Sequence, residues 1–153
     1  MNRLTKVPSA ELNLDAISVV TNMYRAAQGL RNKMERDVLS KYGLSWTAFS
    51  LLYDIWVWDS LETKKLAELS GVSKATVSNI TNTLERKELC YRTVDKRDRR
   101  ITYVAITDQG KQVMEELYPN FHKGEIDIVS SLNQKEQQMV SQLLRRVIRH
   151  NNF

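Results

Sequence analysis

The segment Thr63-Lys-Lys-Leu-Ala-Glu-Leu-Ser-Gly71-Val-Ser-Lys-Ala-Thr-Val-Ser-Asn-Ile-Thr-Asn82 decides how the rest of the chain is read. Leu66 and Ala67 fall on the inner face of a first short helix. Gly71 stands where the chain has to turn, and without Cβ it takes φ > 0 freely. Val72 follows as an apolar plug, and Ser73 is a good N-cap for a second helix. Val77, Ile80 and Leu84 then recur three and four residues apart, which puts them on one face. Two short helices joined by a Gly-containing turn have the anatomy of a helix-turn-helix.

With Val77, Ile80 and Leu84 turned inward, the outward face of the second helix carries Ala75, Ser78, Asn79, Asn82 and Arg86, flanked by Lys74 and Thr76. Most of these are short and polar, so they can approach base edges in a major groove, while Lys74 and Arg86 can reach phosphates. An ordinary solvated face would carry more Glu, and this one has no acid among its outward positions.

A basic hairpin follows. Its arms are Leu89 to Val94 and Ile101 to Ile106, rich in β-branched and aromatic residues, around the turn Asp95-Lys-Arg-Asp-Arg-Arg100. From Arg92 to Arg100 there are five basic residues against two acidic ones. Beside a recognition helix, such a loop reads as a wing for the minor groove, where negative potential attracts Arg.

The combination resembles the winged helix-turn-helix of the MarR family of transcriptional regulators. The helix-turn-helix carries the resemblance together with Asp98-Arg99-Arg100, the run on to Ile106-Thr107, and Gly110 just inside the next helix. The flanking helices match by order and length. The resemblance implies that Asp98 holds a wing arginine in position. It also implies that Arg100 contacts the minor groove, with Arg97 and Arg99 as neighbours. Glu88 departs from the family's usual Gly between recognition helix and wing, so a less sharply turned exit is expected there. Asn79 stands where many members carry Arg, which bears on base preference. The expected DNA-contacting set is Ser73, Lys74, Ala75, Thr76, Ser78, Asn79, Asn82 and Arg86 on the helix, with Arg97, Asp98, Arg99 and Arg100 on the wing.

The expected fold class is mainly α with a small β-hairpin wing, in one domain over 1–153. A winged helix-turn-helix lobe (45–107) lies between dimerisation helices at 12–40 and 133–150, with a connecting helix over 107–132. Met1 to Ala10 reads as a polar arm. Ile17, Val20, Tyr24, Ala27, Leu30, Met34 and Val38 mark one long amphipathic helix. Ser45 caps a helix from Trp46 to about Asp59 that is apolar on most sides and belongs in the centre. Thr107 caps the connecting helix, which Pro119 is expected to kink. Asn133 and Glu136 resemble a capping box for a last helix bearing Met139, Val140, Leu143, Leu144, Val147 and Ile148. Long amphipathic helices at both ends exceed what one winged helix needs for cover. They point to a homodimer, whose two-fold symmetry presents recognition helices to successive major grooves about 34–36 Å apart or a multiple of it.

The 153 residues, 42% hydrophobic, suffice for one core, and the net charge of +5 favours an anionic partner. No apolar leader and no membrane-length run is evident, so a cytoplasmic protein without membrane contact is expected. The one cysteine, Cys90, fits a reducing compartment and reads as structural rather than redox-active. His122 and His150 form no metal-spaced pair with each other or with Cys90, and neither a phosphate loop nor a nucleophile elbow appears. No enzyme, metal or cofactor is expected. Trp46, Phe49, Tyr53 and Trp56 read first as core. The family resemblance leaves a small aromatic effector as an alternative use. A winged helix for protein–protein contact is the competing function, which an acidic or apolar recognition face would have supported.

Overall fold

The computed structural model describes residues 12–153, so the arm expected over Met1 to Ala10 lies outside the described residues. The chain runs through α1 (Leu14–Asp37), a 3-10 turn (Leu39–Tyr42), α2 (Trp46–Trp58), β1 (Ser60–Glu62), α3 (Thr63–Ser70) and α4 (Lys74–Arg86). β2 (Cys90–Val94), β3 (Thr102–Ile106), α5 (Asp108–Ile128) and α6 (Gln134–Asn151) follow. The α-helices and the wing come in the expected order, with a 3-10 turn and one strand, β1, added. The wing is a three-stranded antiparallel sheet in the order β1-β3-β2, not a hairpin alone. Ser60, Leu61 and Glu62 pair with Ala105, Val104 and Tyr103. Three residues are too few to carry a period, and only the partner strand reveals them.

The core is centred on α2. Ala48, Phe49, Leu51, Leu52 and Ile55 are buried there, as the apolar character of that helix predicts. Leu66 of α3, Val77 and Leu84 of α4, Val104 of β3, and Met114 and Leu117 of α5 close around it. Each fully buried side chain of this kind contributes roughly 1.5–3 kcal/mol. Thr81 is buried among these apolar groups, where the sequence pattern had named only Val77, Ile80 and Leu84. Its hydroxyl donates to the Val77 carbonyl at 2.7 Å, so the polar group is satisfied inside its own helix.

α5 is one helix that runs through Pro119 to Ile128. Proline removes the hydrogen bond to the carbonyl four residues back. Pro119 and Glu115 are both exposed, so water can reach that carbonyl. The helix stops short of the expected 132, and 129–132 form a turn before α6. The Asn133–Glu136 capping box is complete: Asn133 Oδ1 accepts from Glu136 N at 3.1 Å, and Glu136 Oε2 from Asn133 N at 2.8 Å.

The exit from α4 corrects a second expectation. Glu88 sits at φ 59°, in the left-handed region, so the turn is as sharp as a glycine would make it. Glu88 N donates to the Glu85 carbonyl at 2.9 Å and Leu89 N to the Leu84 carbonyl at 3.0 Å. These bonds cap the helix and hold a non-glycine residue in strain. Thr107 fastens the same turn. Its hydroxyl donates to the Glu88 carbonyl at 2.6 Å and accepts from Gly110 N at 2.9 Å, and its own N–H donates to the Leu89 carbonyl at 3.1 Å. A Cβ on Gly110 would overlap that Leu89 oxygen, which is why a glycine is required inside α5. Glu88→Gly should stabilise the fold by about 1 kcal/mol, the left-handed cost less glycine's extra entropy. A melting temperature unchanged or lowered in that variant would contradict the strain.

Candidate nucleic-acid interface

The helix-turn-helix is built as its sequence predicts. Gly71 adopts φ 62°, and Val72 N donates to the Ala67 carbonyl at 3.2 Å across the turn. Ser73 Oγ accepts from Thr76 N at 3.1 Å, fixing the first turn of α4. Burial of Val77 and Leu84 then orients the helix. Ser73, Lys74, Ala75, Ser78, Asn79, Asn82 and Arg86 are exposed, and Thr76 is half-buried. The outward face is therefore the predicted one, and it is free of acids.

The side chains on that face are not all equally free. The Asn79 side chain makes no hydrogen bond, and only its backbone carbonyl is engaged, by Thr83 Oγ1 at 3.2 Å. Arg86 Nη2 donates to Thr83 Oγ1 at 3.3 Å, near the C-terminal end of the helix. Asn82 Oδ1 already accepts from Arg92 Nη2 at 2.7 Å. The same Arg92 nitrogen donates to the Ser78 carbonyl at 2.9 Å, and Nη1 to Glu85 Oε2 at 3.0 Å. Glu85 Oε1 accepts from Arg92 N at 3.0 Å, so the carboxylate and the arginine are bound twice. In the sequence Arg92 counts toward the basic charge of the wing, and a regular strand puts it on the same sheet face as Cys90, because residues two apart share a face; the link to α4 depends on the packing of strand against helix. Cys90 lies against the Thr81 carbonyl of α4, and Arg92 follows it on that side.

The wing loop is ordered by its two acids. Asp95 Oδ1 accepts from Arg97 N at 2.7 Å and Asp98 N at 2.9 Å. Asp98 then accepts from the Arg100 backbone N–H at 3.0 Å, from Nε at 3.0 Å and from Nη2 at 2.9 Å. The Arg100 guanidinium, and next its backbone N–H, hold the Asp98 carboxyl below the ordinary carboxylate range. Arg100 nevertheless remains 90% exposed in its side chain, so it is aimed rather than hidden. Lys96, Arg97 and Arg99 are exposed around it. His122 and His150 sit on the surface, apart from this face, with His122 Nδ1 2.9 Å from Glu125 Oε2. Among the described residues no three His, Cys, Asp or Glu side chains converge.

The family model described as the MarR family matches residues 44–102. An uncharacterized HTH-type transcriptional regulator, YwaE of Bacillus subtilis (strain 168), is 56% identical over 147 residues, covering 96% of this chain and 86% of the relative. AbsC, a MarR family transcriptional regulator from Streptomyces coelicolor, superposes with a TM-score of 0.84 at 19% identity, covering 92% of this chain and 97% of that one. Sco3205 from the same organism, a MarR family regulator solved in complex with DNA, gives a TM-score of 0.81 at 20% identity, covering 89% and 87%.

Cys90 lies under this surface, at the first position of β2. It is 3% exposed, and its thiol faces the Thr81 carbonyl at 3.9 Å. Burial, reinforced by Glu85 and partly offset by Arg92, pushes its pKa up to about 12. The reactive species of a thiol is the thiolate, so this one is inert at neutral pH. Its folded pKa is raised. Its contribution to stability is therefore full below the unperturbed value of 9.0 and is lost as pH rises toward 12. A disulfide reagent at pH 8 should label Cys90 only at the rate of unfolding and quickly in denaturant; rapid labelling of the native protein would overturn this assignment.

Proposed function

This chain belongs to the MarR family of HTH-type transcriptional regulators, and from that premise we propose that it binds a pseudo-palindromic, A·T-rich operator as a homodimer. The family is one of DNA-binding regulators, not of enzymes. The observation that carries the reading is an acid-free, exposed α4 face, linked to β2 by Arg92, beside a basic wing whose Arg100 is oriented by Asp98. In this reading α4 enters the major groove. Lys74 and Arg86 meet phosphates, Ser73 and Ser78 approach the backbone or base edges, and Ala75 and the Thr76 methyl lie against thymine methyls. Asp98 sets Arg100 into the adjacent minor groove, with Arg97 and Arg99 alongside.

Asn79 is the adenine reader. Its free amide can accept from N6 and donate to N7, a pairing worth about 1–3 kcal/mol of discrimination. Asn82 differs from it, because Arg92 Nη2 already donates to its oxygen at 2.7 Å. Wing arginines favour a narrow A·T-rich minor groove, so helix and wing point the same way.

The homodimer rests on the terminal helices. α6 has no buried residue, and Met139, Val140, Leu143, Leu144 and Ile148 are exposed along it. Ile17, Val20 and Tyr24 of α1 are exposed as well. Such faces call for a second copy. Among the described residues, a hollow of about 210 Å³ lined by Trp46, Phe49, Tyr53, Tyr118, Phe121 and Glu125 is a candidate seat for a small aromatic effector. It is smaller than the roughly 300 Å³ at which pockets for drug-sized ligands begin. The burial of Phe49 and Phe121 favours the core role for the stripe itself. The chemistry requires no cofactor and no membrane, and a cytoplasmic location fits a partner that is DNA.

Selection of bound duplexes from a random pool should return an inverted repeat with A·T-rich half-sites, bound with a steep decline in log K against log salt. Half-sites rich in G·C would refute the base reading. Asn79→Arg should shift one position per half-site toward guanine. A shallow salt slope without a consensus would instead favour the protein-contact role. Deleting the residues after Leu132 should abolish the dimer in sedimentation along with operator binding, and a truncated dimer of unchanged affinity would move the interface elsewhere.

A further inference from the structure

The proposed reading treats α4 as the element that reads bases, and the wing as a separate contact. The hydrogen bonds join them. Arg92 of β2 spans three positions of α4, through the Ser78 carbonyl, Asn82 Oδ1 and both oxygens of Glu85. Arg92 and Glu85 are each only about 30% exposed in their side chains, so the pair is partly shielded from solvent. A planar guanidinium with fixed donor directions orients what it binds. Here it binds the one outward side chain of α4, Asn82, that has both an acceptor and a donor to offer and uses the acceptor within the chain.

We infer that Arg92 is a specificity-determining positioning residue, which holds the Asn82 amide so that it reads bases through its Nδ2 donor alone. Bidentate recognition of adenine needs the amide oxygen to accept from N6 while the nitrogen donates to N7, in one plane. With Oδ1 held by Arg92 at 2.7 Å, the amide plane is set by the guanidinium and not by the base. The Nδ2 group remains to meet an acceptor: guanine offers O6 and N7 and thymine O4, adenine offers N7 only with its N6 donor left unpaired beside it, and cytosine with its N4 donor is excluded. Asn79 and Asn82 are thus chemically identical residues with different reading rules, and a strand outside the helix makes the difference.

The inference rests on the DNA-binding reading, and a panel of base-substituted operator duplexes tests the two separately. The position under Asn82 is the one whose discrimination Asn82→Ala removes. The parent should favour guanine or thymine there and reject cytosine by roughly tenfold. Asn82→Asp keeps an oxygen for Arg92 and converts the outward group to an acceptor, so preference should turn from guanine and thymine to the bases that offer a donor, cytosine through N4 and adenine through N6. This variant preserves the helix–strand link and does not depend on an Arg92 substitution folding. Arg92→Ala should release the amide and raise adenine at that same position, leaving the Asn79 position unchanged.

A parent that already prefers adenine under Asn82 overturns the inference. So does an Arg92→Ala profile weakened equally at all positions, which would mark a purely structural role. A parent that binds a consensus with no position sensitive to Asn82 overturns it as well, while the regulator reading stands. Absence of any sequence-specific binding by the parent overturns both.

Discussion

Between the last turn of α4 and the first residue of β2 the chain reverses within Lys87, Glu88 and Leu89, and the angle between recognition helix and wing is set there. In the proposed complex, rigid presentation of both elements to one duplex needs this junction to have a single geometry. Three groups supply it. The backbone of Glu88 is forced into the left-handed region. Thr107 donates to the carbonyls of Glu88 and Leu89 in the turn, and Gly110 leaves room for the Leu89 oxygen. Arg92, just beyond the turn, reaches back to α4. Loosening any one would let the wing swing relative to the helix. The strain at Glu88 is tolerated because the surrounding hydrogen bonds over-determine it.

Charge is organised at two levels. The wing carries an excess of basic residues, which alone would give long-range attraction to any polyanion. The acids within it impose direction. Asp95 folds the loop by accepting two backbone N–H groups, and Asp98 fixes Arg100 through both its backbone and its side chain. Exposed ion pairs contribute little to stability, so the role of Asp98 is orientation more than energy. Arg92 is the contrasting case. Its charge faces Glu85 and the helix, and it is a structural cation inside a basic region.

The terminal helices obey a different constraint. An 18-residue helix with no buried residue gains little from tertiary packing within its own chain. Its complete capping box supplies local stability, while its apolar stripe stays exposed. In the proposed homodimer these are the same design, since a helix that is preformed loses less entropy when its face is covered.

Periodicity, caps and turn residues determined most of the fold from the sequence alone. Spacing of three and four placed Val77 and Leu84 inward, Gly71 marked the turn, and Ser45, Ser73, Thr107 and Asn133 marked helix starts, because these signals act within one or two turns of chain. The outward face of α4 followed from the same arithmetic. Only the tertiary structure decided what depends on a distant partner. β1 exists because β3 pairs with it, and Pro119 is tolerated because its side of α5 meets water. Glu88 takes a glycine's conformation because Thr107 and Leu84 hold it there. Asn79 and Asn82 looked alike in the sequence and differ in the fold, because Arg92 approaches one of them across ten residues of chain. A side chain's available hydrogen-bonding groups are those its neighbours leave free, and those neighbours are set by packing rather than by order in the chain.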